Sequence, residues 1–193
     1  FQHYLGQYLP DWHPYEDYRK VYFAQKATGG AREMFPYEIC WLNYVVSSSV
    51  KKIVGVNDKY SDLEMTADDM YAAIVEFKNK VLGTMTIDLL NRKAGRALRI
   101  IGSKGTIEWD WLRYELKISL PGKKQKVIKL NQEKKFSHYN TTESIYIAEM
   151  KAFLDAIRGK KPYPYSFKED WAILKTLYAV EKSFSQLKSK ELW

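Results

Sequence analysis

Residues 70–111 form an almost unbroken series of strand-length segments, and the rest of the chain is arranged about them. Along 70–78, Tyr71, Ala73, Val75 and Phe77 fall on one face, with Met70, Ala72, Ile74, Glu76 and Lys78 on the other. That period of two marks a strand. Asn79-Lys80 has the spacing of a two-residue hairpin turn, with Asn79 able to take positive φ. The next strand, 81–90, is rich in Gly, Thr and Met and carries apolar residues on both faces. After a break at 92–95, segments 97–101 and 106–111 are split by Gly102-Ser103-Lys104-Gly105, where two glycines permit a tight reversal. Residues 50–56, 113–119 and 126–130 also read as strands. An antiparallel meander is therefore expected over 50–130, with a polar connection at 58–69.

Helical periodicity flanks this region. Residues 15–26 place Tyr18, Val21, Tyr22 and Gln25 on one face and stop at Thr28-Gly29-Gly30. Residues 31–47 follow, with Cys40, Trp41, Tyr44 and Val45 as the expected core face; Pro36 predicts either a start near Phe35 or a kink. Asn140 with Glu143, and Ser166 with Glu169, are cap-plus-acid pairs that open two closing helices. Their apolar stripes are Ile145, Ala148, Ala152, Phe153, Ala156 and Ile157 in the first, and Ile173, Leu177, Val180, Phe184 and Leu187 in the second. Residues 1–7 can form an edge strand. The fold class expected is α+β, a single domain over 1–193 with an open, mostly antiparallel six- to seven-stranded sheet and helices packed on one face. Ile74, Met85, Ile87 and Leu89 exceed what one helical layer hides, so the open face is expected to pack on an identical sheet, in a dimer or tetramer, or on a partner domain.

A chain of 193 residues can bury one sizeable core. It has no apolar run near the roughly 20 residues that span a bilayer. The single Cys40 excludes an intramolecular disulfide and fits a reducing cytoplasm, the expected location. The net charge of +8 is spread as lysines at turns and element ends rather than gathered on a groove with stacking aromatics. A nucleic-acid partner is therefore not expected, while a phosphorylated small substrate is compatible. The sequence begins at Phe1 without an initiator Met and is expected to be a piece of a longer protein.

Self-sufficient chemistry is absent: there is no G-x-G-x-x-G, P-loop or G-x-S-x-G, and the three histidines are too scattered for a metal triad. Two clusters remain. In Leu9-Pro10-Asp11-Trp12-His13-Pro14 the prolines fix an extended loop, which is either a packing corner or a binding loop. Asp11, Trp12 and His13 there offer a carboxylate, a flat apolar surface and a titratable ring. Arg32, Glu33 and Tyr37 follow the double glycine at a helix start, where backbone N–H groups are free.

Gly29-Gly30 followed by an acid and a helix, the run from Ile74 to Gly83 (IVEFKNKVLG) and the run from Arg99 to Ile107 (RIIGSKGTI) together resemble the C-terminal domain of Gfo/Idh/MocA oxidoreductases. The 9–14 loop with Tyr18-Arg19 resembles the sugar-nucleotide branch of that family. The resemblance covers essentially the whole chain. It implies a two-domain enzyme in which an N-terminal Rossmann domain binds NAD or NADP and this domain supplies the substrate pocket and the oligomer interface. The implied reaction is hydride transfer at a secondary alcohol or ketone of a sugar, polyol or nucleotide sugar. The glycine-rich turn and the lysine of the E-K-P motif are not in these 193 residues, so the cofactor is expected mainly on the absent domain and the fragment alone is expected to be inactive. The family places an Asp after the double glycine and, four residues on, a His that relays a proton. Glu33 and Tyr37 stand there, a shift of one residue puts Met34 at the acid position, and His13 is the alternative relay. Asp11, Trp12, Arg19 and Arg32 are the implied substrate contacts. A noncatalytic ligand-binding or scaffold domain of the same fold is the alternative reading.

Overall fold

The computed structural model describes residues 1–12, 14–130 and 143–186. Its strands are β1 (Gln2–Tyr8), β2 (Val50–Asp58), β3 (Met70–Phe77), β4 (Leu82–Asp88), β5 (Leu90–Gly102), β6 (Gly105–Asp110), β7 (Glu115–Ser119) and β8 (Lys126–Lys129). Its helices are α1 (Leu9–Trp12), α2 (Ala31–Val45), α3 (Glu143–Ile157) and α4 (Phe167–Gln186). All strands join one open sheet in the order β2-β3-β4-β1-β5-β6-β7-β8. The fold is α+β and mostly antiparallel, as expected, with an eighth strand beyond the six or seven read from sequence.

That extra strand is the first segment, and it lies in the middle of the sheet rather than at its edge. β1 runs parallel to β4 and antiparallel to β5, with Tyr4 opposite both Thr86 and Ala97. The terminal ammonium donates to the Leu82 carbonyl at 2.8 Å. Gly83 is the socket for the Phe1 ring: a Cβ there would come within 2.2 Å of it. Since β4 and β5 straddle β1 with Leu89 alone between them, the chain must turn a sharp corner. The Asp88 carboxylate pins that corner by accepting from the N–H groups of Leu90 (3.0 Å) and Asn91 (2.9 Å). β5 then continues through 92–95, where a break was expected, because a bulge in β1 between Gly6 and Tyr8 keeps the pairing in register. The β3–β4 turn has three residues, not two, and its left-handed residue is Lys80 (φ 68°). Asn79 instead uses its side chain, donating to the Val46 carbonyl at 2.8 Å.

α2 and α4 cover one face of the sheet. Tyr71, Ala73, Val75 and Phe77 of β3 point into that layer and are buried, and so are Met85, Ile87 and Leu89. Of the four residues expected to overload a single layer, only Ile74 lies exposed on the open side. The strand alternation that separates Ile74 from Tyr71 also sends Met85 and Ile87 inward. α2 begins at Ala31, with Gly30 at φ 78° as its N-cap and Pro36 inside it. Its buried face is Ala31, Phe35, Glu38, Ile39 and Leu42, whereas Tyr44 of the expected face is 86% exposed. The true stripe contains a carboxylate at its centre, which disguises it in a search for apolar spacing. α4 buries Ile173, Leu177 and Val180 as expected; Leu187 and the side chain of Phe184 lie outside the described residues. The Ser166/Glu169 capping box is present, with Ser166 N–H donating to the Glu169 carboxylate at 2.8 Å and Glu169 N–H to Ser166 Oγ at 3.2 Å. Asn140 lies outside the described residues. Ile145, Phe153 and Ile157 of α3 are exposed, so the α3 stripe does not pack on the sheet.

The expected 15–26 helix is replaced by two 3-10 turns, Tyr18–Lys20 and Tyr22–Ala24. Asp17 competes for the backbone by capping the first, accepting from Arg19 N–H at 3.1 Å. The 9–12 segment is a short helix rather than an extended loop; Pro10 is tolerated so near its start because its missing N–H would have no helical partner.

Glu38 explains how a charge lies inside the α2–sheet layer. Its carboxylate accepts from His3 Nε2 (2.6 Å), Trp41 Nε1 (2.7 Å) and Arg96 Nε (3.1 Å), and pairs with a second Arg96 nitrogen at 2.8 Å. His3 Nδ1 faces the Ala97 carbonyl at 3.0 Å. Both ring nitrogens thus meet acceptor oxygens, which fixes the orientation of the ring. Burial opposes ionisation of Glu38, but His3, Arg96 and Trp41 outweigh it and hold the carboxyl below its ordinary range. A lowered folded value gives stability that is present above the unfolded carboxyl pKa of about 4.3 and is lost as pH falls through the folded value. Glu38→Gln is expected to cost about 3 kcal/mol at neutral pH, since it takes the carboxylate away from the half-buried Arg96 guanidinium and from the buried His3 and Trp41 ring nitrogens, and to flatten the acid limb of stability against pH. Urea unfolding from neutral to acid pH measures both, and an unchanged acid limb would contradict the assignment.

Candidate functional site

Around the short α1 helix and the two 3-10 turns, aromatic rings build an apolar cavity. Trp12 meets Phe23 edge-on at 4.7 Å between centroids, and Tyr22 meets Phe23 edge-on at 5.7 Å. With Leu9 and Val21 they line a cavity of about 540 Å³, and Glu16, Asp17 and Lys20 supply its polar groups. The 3-10 geometry matters here: two tight turns in succession send Tyr22 to the cavity wall while burying Phe23 beneath it.

From this wall the Tyr22 hydroxyl donates to Glu33 Oε1 across a long 3.4 Å. Burial pushes the Glu33 carboxyl up, and the weak bond from Tyr22 only partly offsets it. Burial, and then the Glu33 charge, push the Tyr22 phenol up as well, with a smaller contribution from Tyr37. Tyr37 lies four residues after Glu33 on the same side of α2 and is 65% exposed. Tyr22 is thus the link between the two clusters: it lines the Trp12 cavity and bonds Glu33, with Tyr37 nearby on α2, while Glu33 and Tyr37 stand outside the cavity lining.

The remaining predicted residues divide. Asp11 is exposed on α1, and His13 lies outside the described residues. Arg19 is held by both oxygens of Asp17 (2.7 and 3.0 Å) and by Glu64 (2.9 Å). Arg32 points away from Glu33, into a small cleft of about 260 Å³ with Lys26, Asn57 and Asp68, where it pairs with Glu181 at 2.6 Å. Adjacent residues on a helix are turned by about 100°, so Arg32 and Glu33 cannot share a site. Sequence reasoning missed the role of Tyr22, which was read as part of a helical stripe. It also missed a second cleft of about 500 Å³ against the first, lined by Tyr8, Tyr18, Ser61, Asp62, Glu64 and Leu90. No local signal marked that cleft, because its walls come from four separate parts of the chain.

Cys40 is not a nucleophile candidate, since burial raises its thiol pKa despite a bond with Tyr165. Among the described residues no cluster of three metal-ligating side chains occurs, and no helix is long and apolar enough to cross a membrane. A dinucleotide needs a glycine-rich turn joining a strand to a helix; Gly29-Gly30 instead follows a 3-10 turn, and Gly30 is occupied by bonding to the Phe23 carbonyl at 2.7 Å. The described residues do not fit a nicotinamide dinucleotide by themselves.

A family model described as "Oxidoreductase family, C-terminal alpha/beta domain" (GFO_IDH_MocA_C) matches residues 41–191. No curated protein sequence matches the chain. Solved structures of similar fold include levoglucosan dehydrogenase in complex with NADH and levoglucosan (TM-score 0.77, 15% identity, covering 96% of this chain and 56% of that one). Others are an oxidoreductase domain protein from Kribbella flavida (0.73, 16%, 96% and 57%) and UDP-N-acetylglucosamine 3-dehydrogenase from Acidithiobacillus ferrooxidans (0.69, 12%, 96% and 53%). The chain spans a little over half the length of these proteins.

The environment of Glu33 has a measurable signature. A carboxyl whose folded pKa is raised favours the folded state most when protonated, and that contribution is lost as pH rises through the folded value. Glu33→Gln is expected to raise the thermal midpoint near neutral pH and to match the wild type near pH 4. Melts across that range check the sign; a variant less stable at neutral pH would show that the carboxylate is stabilised rather than strained.

Proposed function

The chain belongs to the Gfo/Idh/MocA oxidoreductase family as its C-terminal α/β domain, and from this we propose that it is the substrate-binding and oligomerisation domain of an NAD- or NADP-dependent sugar or sugar-nucleotide dehydrogenase. The observation that carries the proposal is Glu33, its carboxyl pushed up by burial, bonded to Tyr22 at the wall of the Trp12 cavity. A carboxyl whose pKa is raised is a better proton acceptor than an ordinary one. Sugar-bound and NADH-bound proteins of the same fold support the substrate class and the cofactor, which would be held outside the described residues.

In this reading a sugar ring lies against the Trp12 ring, which offers a flat apolar face to its C–H groups. Glu33 takes the proton of the hydroxyl that is oxidised to a ketone. Tyr37 donates a hydrogen bond to that oxygen, which selects the alcohol presented to Glu33. His13 is the alternative proton relay of the proposal. The open sheet face, with Val54, Ile74 and Leu82 exposed beside charged residues, packs on a second copy of the chain.

In the full-length enzyme Glu33→Gln is expected to lower kcat by about 100-fold or more, and Tyr37→Phe by about tenfold, with the fold preserved by circular dichroism. Hydride transfer followed at the nicotinamide absorbance, over a panel of nucleotide sugars and free polyols, reads both; wild-type turnover in the two variants would reject the relay. Ile74→Lys is expected to shift the sedimentation coefficient to that of a monomer, and an unchanged assembly would place the interface elsewhere.

A further inference from the structure

The two clefts beside α1 share a wall. Tyr18 lines both the Trp12 cavity and the cleft containing Tyr8 and Glu64. Its hydroxyl accepts the Glu64 N–H at 3.1 Å, which holds the ring in place. The next residue, Arg19, spans the same partition, bonding Asp17 of the first compartment and Glu64 of the second. Tyr8, at the far side of the second compartment, is held by Arg92, whose guanidinium stacks 3.6 Å from the ring centroid and donates to the hydroxyl at 3.0 Å. A pinned partition one aromatic ring thick, with a cavity on either side, suits a ligand of two rings joined by a short bridge.

The charge of the two compartments narrows the class. The ionisable groups that line them are Glu16, Asp17, Asp62 and Glu64 against Lys20, and Arg19 is shared between two of those carboxylates. The local balance is acidic although the whole chain carries +8. Carboxylates repel a diphosphate but accept hydrogen bonds from sugar hydroxyls, and tyrosine and tryptophan faces cover the apolar side of a pyranose. We propose that the Trp12 cavity and the Tyr8/Glu64 cleft form one extended site for an uncharged glycoside of two rings, with the glycosidic bridge crossing Tyr18. The inference rests on the reading of the Trp12 cavity as the substrate site, and it favours a neutral glycoside over a nucleotide sugar.

Calorimetric titration of the full-length protein with glucose, with neutral glucose disaccharides and with UDP-glucose tests it, alongside saturation-transfer NMR on the bound sugars. The result expected is a best disaccharide about tenfold tighter than glucose, with saturation on both of its rings. Glu64→Gln and Asp62→Asn, both surface changes checked by thermal melts, are expected to reduce that advantage to about threefold or less. Equal affinity for glucose and every disaccharide would overturn the second compartment but leave the Trp12 site standing. UDP-glucose binding tightest would overturn the neutral class. A disaccharide preference untouched by both substitutions would overturn its location, and no binding of any of the three would overturn this inference together with the reading beneath it.

Discussion

Glu38 is the constraint on which the arrangement of this domain depends. A carboxylate taken out of water costs several kcal/mol unless donors surround it, and here they come from three elements: His3 of β1, Trp41 of α2 itself and Arg96 of β5. Arg96 also stands over the Trp41 and Trp109 rings, at 5.1 and 5.7 Å. A slip of one residue in β1 would turn His3 to the open face and strand Glu38, so the ion cluster fixes strand register as well as helix position. The same helix carries Glu33, five residues earlier and so on a different side. Two glutamates on one helix thereby acquire opposite tendencies. Glu38 is buried among strong donors and stays ionised, while Glu33 is half-buried with a single long bond and leans towards the protonated form. The first ties the helix to the sheet, and the second faces the Tyr22 hydroxyl.

Much of the fold could be read from local pattern. The alternation of β3, the reversal at Gly102–Gly105 and the Ser166 capping box depend on neighbours within a few residues, and they stand where the pattern put them. What local pattern could not show was the placement of β1, whose partners Thr84 and Arg99 lie far along the chain. It also misjudged the phase of α2. Tyr44 looks like a core residue by size, and Glu38 looks like surface by charge, yet the donors on β1 and β5 reverse that order, while Trp41 packs partly buried against the core beside Glu38.

The candidate site was legible in part. Trp12, Glu33 and Tyr37 stood out as an aromatic face and two ionisable groups near a double glycine, and the structure connects them only through Tyr22, which lines the Trp12 cavity and bonds Glu33. Arg19, implied by the family resemblance, and Arg32, beside the double glycine, also stood out, but acidic partners at Asp17, Glu64 and Glu181 hold them. Those partners lie up to 149 positions away in the sequence, beyond any motif. Tyr22 escaped notice because a helical stripe and a pair of 3-10 turns place the same residues in different directions.

The seat of β1 between β4 and β5 also sets an order of events. β2, β3 and β4 pair with near neighbours in sequence, and so do β5, β6, β7 and β8, so each group can form as a local hairpin or meander. The two groups are joined in the sheet only through β1, which pairs with both β4 and β5. A half-folded chain therefore holds open a slot one strand wide, lined by two facing rows of unpaired backbone groups. Such a slot accepts the β1 segment of a neighbouring copy on the same terms as its own, so this topology is open to strand exchange whenever β1 leaves its place.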